Sequence, residues 1–136
     1  MLSQLKFSVA EIGKLPLYNQ DDEQPSQVVQ DFKQQIADAD GVIFVTAEYN
    51  RSIPGVLKNA LDQGSCPYGK NVWAQKPAGV IGTSLCAVGS ALCQQHLTFL
   101  DMPTLNQPEA FIQWNKNTID RQGNFLERTK FFYKNG

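Results

Sequence analysis

Val42-Ile43-Phe44-Val45-Thr46, followed by Ala47-Glu48-Tyr49-Asn50-Arg51-Ser52-Ile53-Pro54-Gly55 and then by Val56, Leu57, Ala60 and Leu61, is the stretch that decides the fold. The first five residues are apolar or β-branched without polar alternation. Such a run reads as a strand covered on both faces. The polar, Asn- and Ser-containing segment after it reads as a loop. Pro54 suits the first turn of a helix, because its φ is already fixed near about −65° and no N–H partner is needed there. Val56, Leu57, Ala60 and Leu61 then recur at helical spacing. The unit is strand, loop, helix.

Working outward, the unit recurs. Residues 64–77 read as a loop, and Ala78-Gly79-Val80-Ile81-Gly82 as a second buried strand. Ala87 to Leu100 reads as a well-buried helix, apolar on two sides, which Met102-Pro103 breaks. A last strand is expected around Thr104 to Ile112 and a terminal helix over Phe125 to Tyr133. Upstream, Ser26 is a plausible N-cap for a helix carrying Val28, Val29, Phe32, Ile36 and Ala39. Gly41 suits a left-handed residue closing that helix. Gly13 to Pro25 reads as a loop, and Leu5, Phe7 and Val9 alternate with polar residues as a short strand would. Alternating strands and helices give an α/β domain with a mainly parallel sheet. Right-handed crossovers are expected to place helices on both faces. The 136 residues suit a single domain over 1–136.

Composition removes several classes of function. Twelve basic and thirteen acidic residues leave a net charge of −1, without the basic face that nucleic acid demands. No apolar run approaches the roughly 18 residues of a membrane span. Met1 to Phe7 lacks the basic-then-apolar pattern of a secretory signal, so the cytoplasm is the expected compartment. The three cysteines, Cys66, Cys86 and Cys93, form no Cys-x-x-Cys pair, and His96 is the single histidine, so neither a disulfide framework nor a metal site is expected. Cys93 reads as a small buried residue on a helix. Trp73 and Trp114 read as surface-packing or interface aromatics, His96 as structural or exposed, and Lys76 as a solvated charge beside a strand. Asp21-Asp22-Glu23 is too short an acidic run for a cation, which needs converging oxygens.

In open α/β sheets, ligands bind outside the carboxyl ends of the strands. That directs attention to the loops after Thr46 and after Ile81. The second runs Gly82-Thr83-Ser84-Leu85-Cys86-Ala87-Val88-Gly89-Ser90. Each loop brings backbone N–H groups and small polar side chains to a helix start, where acceptors are attracted. The first adds the Tyr49 ring and the Asn50 amide. Two readings stay open. One is a flat heteroaromatic ring with carbonyls along one edge, such as a flavin. The other is a pair of plain strand-to-helix turns, with Asn50 and Ser52 as turn and cap residues.

The run Glu48-Tyr49-Asn50-Arg51-Ser52-Ile53-Pro54-Gly55-Val56-Leu57-Lys58-Asn59-Ala60-Leu61-Asp62 closely resembles the signature of the NADPH-dependent FMN reductase family, which includes quinone, azo-dye and chromate reductases. Leu15-Pro16-Leu17-Tyr18-Asn19-Gln20-Asp21, Lys76-Pro77 with Gly82-Thr83-Ser84, Gln94-Gln95-His96-Leu97 and Leu105 to Phe111 resemble further segments of it. The resemblance implies a flavodoxin-like three-layer sandwich. It implies NAD(P)H-dependent hydride transfer through bound FMN to an acceptor such as a quinone, with NADPH as co-substrate. Glu48, Tyr49 and Asn50 would then contact the isoalloxazine, and Ser84 and Gly89 would close its other side. The protein's part would be to hold and tune the ring. No catalytic acid or base is implied, because hydride transfer needs none, and no metal. Self-association as a homodimer or tetramer through the helix Pro54–Asp62 is implied too.

Family members carry, ahead of their second strand, a strand, a phosphate-wrapping loop and a helix that have no counterpart in this sequence. The resemblance therefore implies an N-terminally truncated sheet of about four strands, with FMN bound weakly or not at all for want of charge-assisted bonds to its phosphate. A non-catalytic dimeric interaction or flat-ligand-binding module is the alternative. Leu5 to Val9 is expected to pair with Val42 to Thr46, or to be exchanged between subunits, because unpaired strand edges need covering. Leu85 and Cys86 stand where the family carries glycine or proline, Ala47 where it carries proline, and Gln63 where it carries tryptophan.

Overall fold

The computed structural model describes residues 5–22, 24–85, 90–96, 100–105, 112–113, 120–122 and 124. Strand β1 (Val42–Ala47) pairs in parallel with β2 (Ala78–Ser84), from Val42 opposite Ala78 to Ala47 opposite Thr83. A short β3 (Ile112–Gln113) joins the far side of β2, with Thr83 opposite Ile112 and Ser84 opposite Gln113. The order is β1-β2-β3. Helices α1 (Gln27–Asp38), α2 (Gly55–Ser65) and α3 (Ala91–Gln95) complete the described elements, with a 3₁₀ turn at Ile12–Lys14. The expected α/β alternation and parallel pairing are both present.

The two faces of the ladder differ. Phe44, Thr46, Ala78 and Ser84 are buried on one face. On the other, Ile43, Val45 and Ile81 are 52%, 77% and 53% exposed. Among the described residues, β1 is therefore covered on one face, where its apolar run predicted two. Topology supplies the reason. Strands that advance in one direction with right-handed crossovers place every connecting helix on the same side. Ser90, at the start of α3, touches β2 from the side where a Cβ on Gly82 would lie, and Gly82 pairs with buried Thr46.

The expected strand at Leu5, Phe7 and Val9 does not form. These side chains are 57%, 72% and 92% exposed, and no pairing with Val42 to Thr46 exists. A strand persists only against a neighbouring ladder, and none stands beside this segment. It is held instead by Gln35, whose Nε2 donates to Ser8 Oγ at 3.2 Å and to the Val9 carbonyl at 3.3 Å. Downstream, Ala10 and Ile12 pack on the core.

Helix α1 starts after Ser26 as read and buries Val29, Phe32 and Ile36. It ends at Ala39, whose extended backbone (φ −77°, ψ 143°) breaks the helix before Gly41 is reached. Gly41 is needed for closeness, not for handedness: a Cβ there would stand 3.1 Å from the Pro77 carbonyl. Lys76 is more than a solvated charge. Its Nζ donates to the carbonyls of Ala37 at 2.8 Å and Ala39 at 2.7 Å, capping the orphan acceptors of the last turn.

Helix α2 begins at Gly55 with Pro54 as cap, the Pro54 carbonyl accepting from Leu57 and Lys58 N–H. It extends through Ser65, past the expected boundary. Leu57, Ala60 and Leu61 are buried, while Val56 is 47% exposed. Two buried polar residues on α2 clamp the preceding loop. Asn59 accepts from Tyr18 N–H at 2.8 Å and donates to the Pro16 carbonyl at 2.9 Å, and Gln63 donates to the same carbonyl at 3.0 Å. Every buried amide there is matched, as an apolar interior requires.

Trp73, read from sequence as a surface or interface aromatic, is 2% exposed and sits at the centre of the core. Its ring lies edge-on to Phe32 at 5.9 Å and tilted against Phe44 at 5.6 Å. Its indole N–H donates to the Leu61 carbonyl at 3.0 Å. Gly64 admits it: a Cβ at 64 would stand 2.4 Å from the indole nitrogen. Burying an indole of this size contributes about 4–6 kcal/mol before entropy is counted.

Of the helix expected over Ala87 to Leu100, the described core is α3, with Cys93 fully buried as read. The expected strand from Thr104 to Ile112 appears at its two ends, as a parallel bridge from Thr104 to Ala78 and as β3. Trp114 and the helix expected over Phe125 to Tyr133 lie outside the described residues. No described helix is long and apolar enough to cross a membrane.

Candidate functional site

At the carboxyl ends of β1 and β2, Ala47 and Thr83 face each other across the ladder. Beyond Ala47 the chain makes a two-residue hairpin. Tyr49 and Ser52 exchange both backbone hydrogen bonds at 2.9 Å. The tip residues, Asn50 and Arg51, have φ of 52° and 65°. Paired positive φ is the twist that a tight hairpin demands, and asparagine adopts it readily. Arginine does so at a cost of about 1–2 kcal/mol. Buried Ile53 then fixes the hairpin to the core, directly before Pro54 and α2.

A cavity of about 450 Å³ opens between this hairpin and the end of β2. Ala47, Glu48, Tyr49, Asn50, Arg51, Thr83, Ser84 and Leu85 line it. The structure thus gathers four of the residues singled out from sequence, Glu48, Tyr49, Asn50 and Ser84. Gly89 lies outside the described residues. Ala47, Arg51, Thr83 and Leu85 are the additions. Strand register could have supplied Thr83, which sits beside Ser84 on the last turn of the ladder. Tyr49 is 62% exposed and offers a ring face to the opening, while Leu85 is 75% exposed at the opposite lip. His96 does not line the cavity. No group of three or more possible metal ligands occurs among the described residues, Asp21 and Asp22 included.

Glu48 is the electrostatic centre of the site. Its side chain is 3% exposed, with Oε1 3.9 Å from an Arg51 guanidinium nitrogen at the rim. Its Oε2 is buried without a hydrogen-bond partner, and no other described side-chain atom is in that state. On the inner side its charge reaches Cys93. Burial first, and then the Glu48 carboxylate, push the Cys93 thiol above its usual range. Cys93 Sγ lies 3.1 Å from the Ser90 carbonyl, to which it donates.

The donor set suits a flat heteroaromatic ring. Tyr49 provides a stacking face, and Thr83, Ser84 and Asn50 provide small polar groups. The cavity volume is of the size that small-molecule sites have, roughly 300–1,000 Å³. An α/β domain with a cavity between two strand-to-helix loops at the carboxyl ends of a parallel sheet belongs to the class of open-sheet ligand-binding folds.

The chain belongs to the NADPH-dependent FMN reductase family, whose model matches residues 2–114. It is 51% identical over 129 residues to a 2-hydroxy-1,4-benzoquinone reductase from a Burkholderia species, covering 91% of this chain and 70% of that one. It is 43% identical over 136 residues to a quinone reductase of Pseudomonas putida, covering 96% of this chain and 73% of that one. Among solved structures it superposes on FerB, a flavoenzyme NAD(P)H:(acceptor) oxidoreductase from Paracoccus denitrificans. The TM-score is 0.76 at 40% identity, over 88% of this chain and 69% of that one. The fold is therefore flavodoxin-like, as the sequence resemblance implied.

Proposed function

We propose that the chain is a flavin-dependent oxidoreductase that passes hydride from a nicotinamide cofactor to a quinone, with the flavin ring seated in the cavity between Tyr49 and Ser84. One observation carries the reading: a cavity of about 450 Å³ at the carboxyl ends of β1 and β2, lined by Tyr49, Asn50, Thr83 and Ser84. The names of the relatives support the acceptor class. The flavin, once bound, supplies the hydride chemistry, and the chain's own residues set where the ring lies. Tyr49 stacks against it, held in place by the Tyr49–Ser52 hairpin. Thr83 and Ser84, at the end of β2, meet its polar edge. Leu85 shields the opposite lip from water. Self-association through Pro54–Asp62 accompanies this reading, with Val56 on that helix 47% exposed.

The test is titration of the purified chain with FMN, following flavin fluorescence, and then NADPH-dependent reduction of 1,4-benzoquinone by the mixture. Quenching and turnover are expected. Tyr49→Ala should weaken flavin binding about two- to tenfold, the worth of an aromatic pair. Fluorescence unaffected by the protein would sink the proposal.

A further inference from the structure

The residues that reach the cavity from the strands differ from those that reach it from the loops. Ala47, Thr83 and Ser84, at the strand ends, are small, and Ser84 is buried. The two large uncharged side chains, Tyr49 and Leu85, stand at the opposite lips, 62% and 75% exposed. Both lips are anchored. Tyr49 is fixed by its paired bonds to Ser52, and Leu85 follows directly on Ser84, which stands in register with Gln113 of β3. A single exposed leucine on a protein surface needs no explanation. This one lines a cavity opposite an aromatic ring, and the surface lining that cavity is mainly apolar. A ligand that covers Leu85 with apolar groups removes area from water on both partners, which favours binding in proportion to that area.

We propose that Leu85 is a specificity-determining residue for the electron acceptor, selecting quinones with apolar substituents, alkyl groups or a fused hydrocarbon ring, over quinones with hydroxyl groups. The inference rests on the quinone reading above and narrows it. In that reading Tyr49 covers one face of the flavin ring. Reacting groups must approach to about 3–3.5 Å, so the acceptor takes the face turned away from Tyr49, on the side of Leu85. A methyl group there meets the leucine side chain. A hydroxyl group there gives up water and finds no hydrogen-bond partner in that side chain, which is unfavourable. The overall reaction is unchanged: the quinone gains a hydride and a proton from water and leaves as the hydroquinone. Leu85 takes no part in that chemistry and acts through binding alone.

The experiment compares duroquinone with tetrahydroxy-1,4-benzoquinone, which carry a methyl or a hydroxyl group at every open ring position. Neither leaves a ring carbon free for addition of a thiol, which matters because Cys66 is a free, half-buried cysteine. Dissociation constants are read by equilibrium dialysis on the full chain, and KM and kcat from NADPH-dependent reduction with FMN added. The wild-type chain should bind duroquinone about tenfold more tightly or better, the scale on which apolar sites discriminate. Leu85→Asn, close in size, should bring the two quinones within about threefold of each other, and Leu85→Ala should do the same. KM for duroquinone should rise in these variants while kcat holds, as loss of uniform binding implies. Val45→Thr, on the open face of the ladder, should keep the wild-type preference. Equal binding of both quinones by the wild-type chain overturns this inference alone, as does a preference that survives both Leu85 variants or that falls in Val45→Thr. Binding of neither quinone overturns the acceptor class and this inference with it. A Leu85-dependent preference in a chain that leaves FMN fluorescence unchanged overturns the flavin reading and supports the role of Leu85 in quinone selection.

Discussion

On one face of the β1–β2 ladder, Phe44 lies against Trp73 and Ala78 is buried. On the other, Ile43, Val45 and Ile81 face solvent among the described residues. The side chains are of the same kind on both faces, and the same parallel hydrogen bonds run between them. What separates the faces is topology. Three strands advancing in one direction send their crossovers to one side. Apolar character in a strand therefore marks a capacity for burial, and the connections decide which half of that capacity is used.

The contrast can be broken at its strongest point by Trp73→Ala. The variant should lose about 3–5 kcal/mol, as aromatic-to-alanine changes in cores do. It also leaves the Leu61 carbonyl without its indole donor. Against a total stability of roughly 5–15 kcal/mol, urea unfolding should show a large fall in midpoint, and a midpoint near wild type would mean that Trp73 does not hold the covered face together. Gly82→Ala should act next. The added Cβ would stand 2.3 Å from Ser90 Oγ and 2.9 Å from the Thr46 carbonyl. Overpacking of this sort costs about 1–3 kcal/mol, measurable by thermal unfolding; a neutral result would show that α3 shifts freely on β2. On the open face, Val45→Thr should change stability by no more than about 0.5 kcal/mol, because the residue is 77% exposed and threonine keeps its β-branch. A loss of 2 kcal/mol or more on the scale of core substitutions would reveal that something covers Val45 in solution.

Legibility followed the same division. β1 and α2 could be read because an apolar run and Pro54 are local signals, and Glu48, Tyr49 and Asn50 because their motif is contiguous. The Leu5–Val9 segment has an equally good strand pattern. Its state depends on a partner strand, which no local pattern reports. Trp73 was misread for a related reason. It sits in a polar loop without periodicity, and only the space above Gly64 makes it a core residue. Lys76 looked like an edge charge because the carbonyls it caps belong to a helix 37 residues earlier in the chain. In the site, Arg51 and Thr83 escaped because one depends on the twist of a two-residue hairpin and the other on cross-strand register.

The facing of Ala47 and Thr83 at the mouth of the cavity has a consequence for how the site can change. Both lips grow from adjacent strands of one ladder, so the position from which each lip starts is set by the strand register. Substitution at Tyr49, Ser84 or Leu85 can alter the depth of the cleft and the chemistry of its walls. Its width belongs to the backbone, and remodelling it would require a bulge or a shift of register. Variation within this scaffold should therefore swap one flat molecule for another more readily than it admits a thick one.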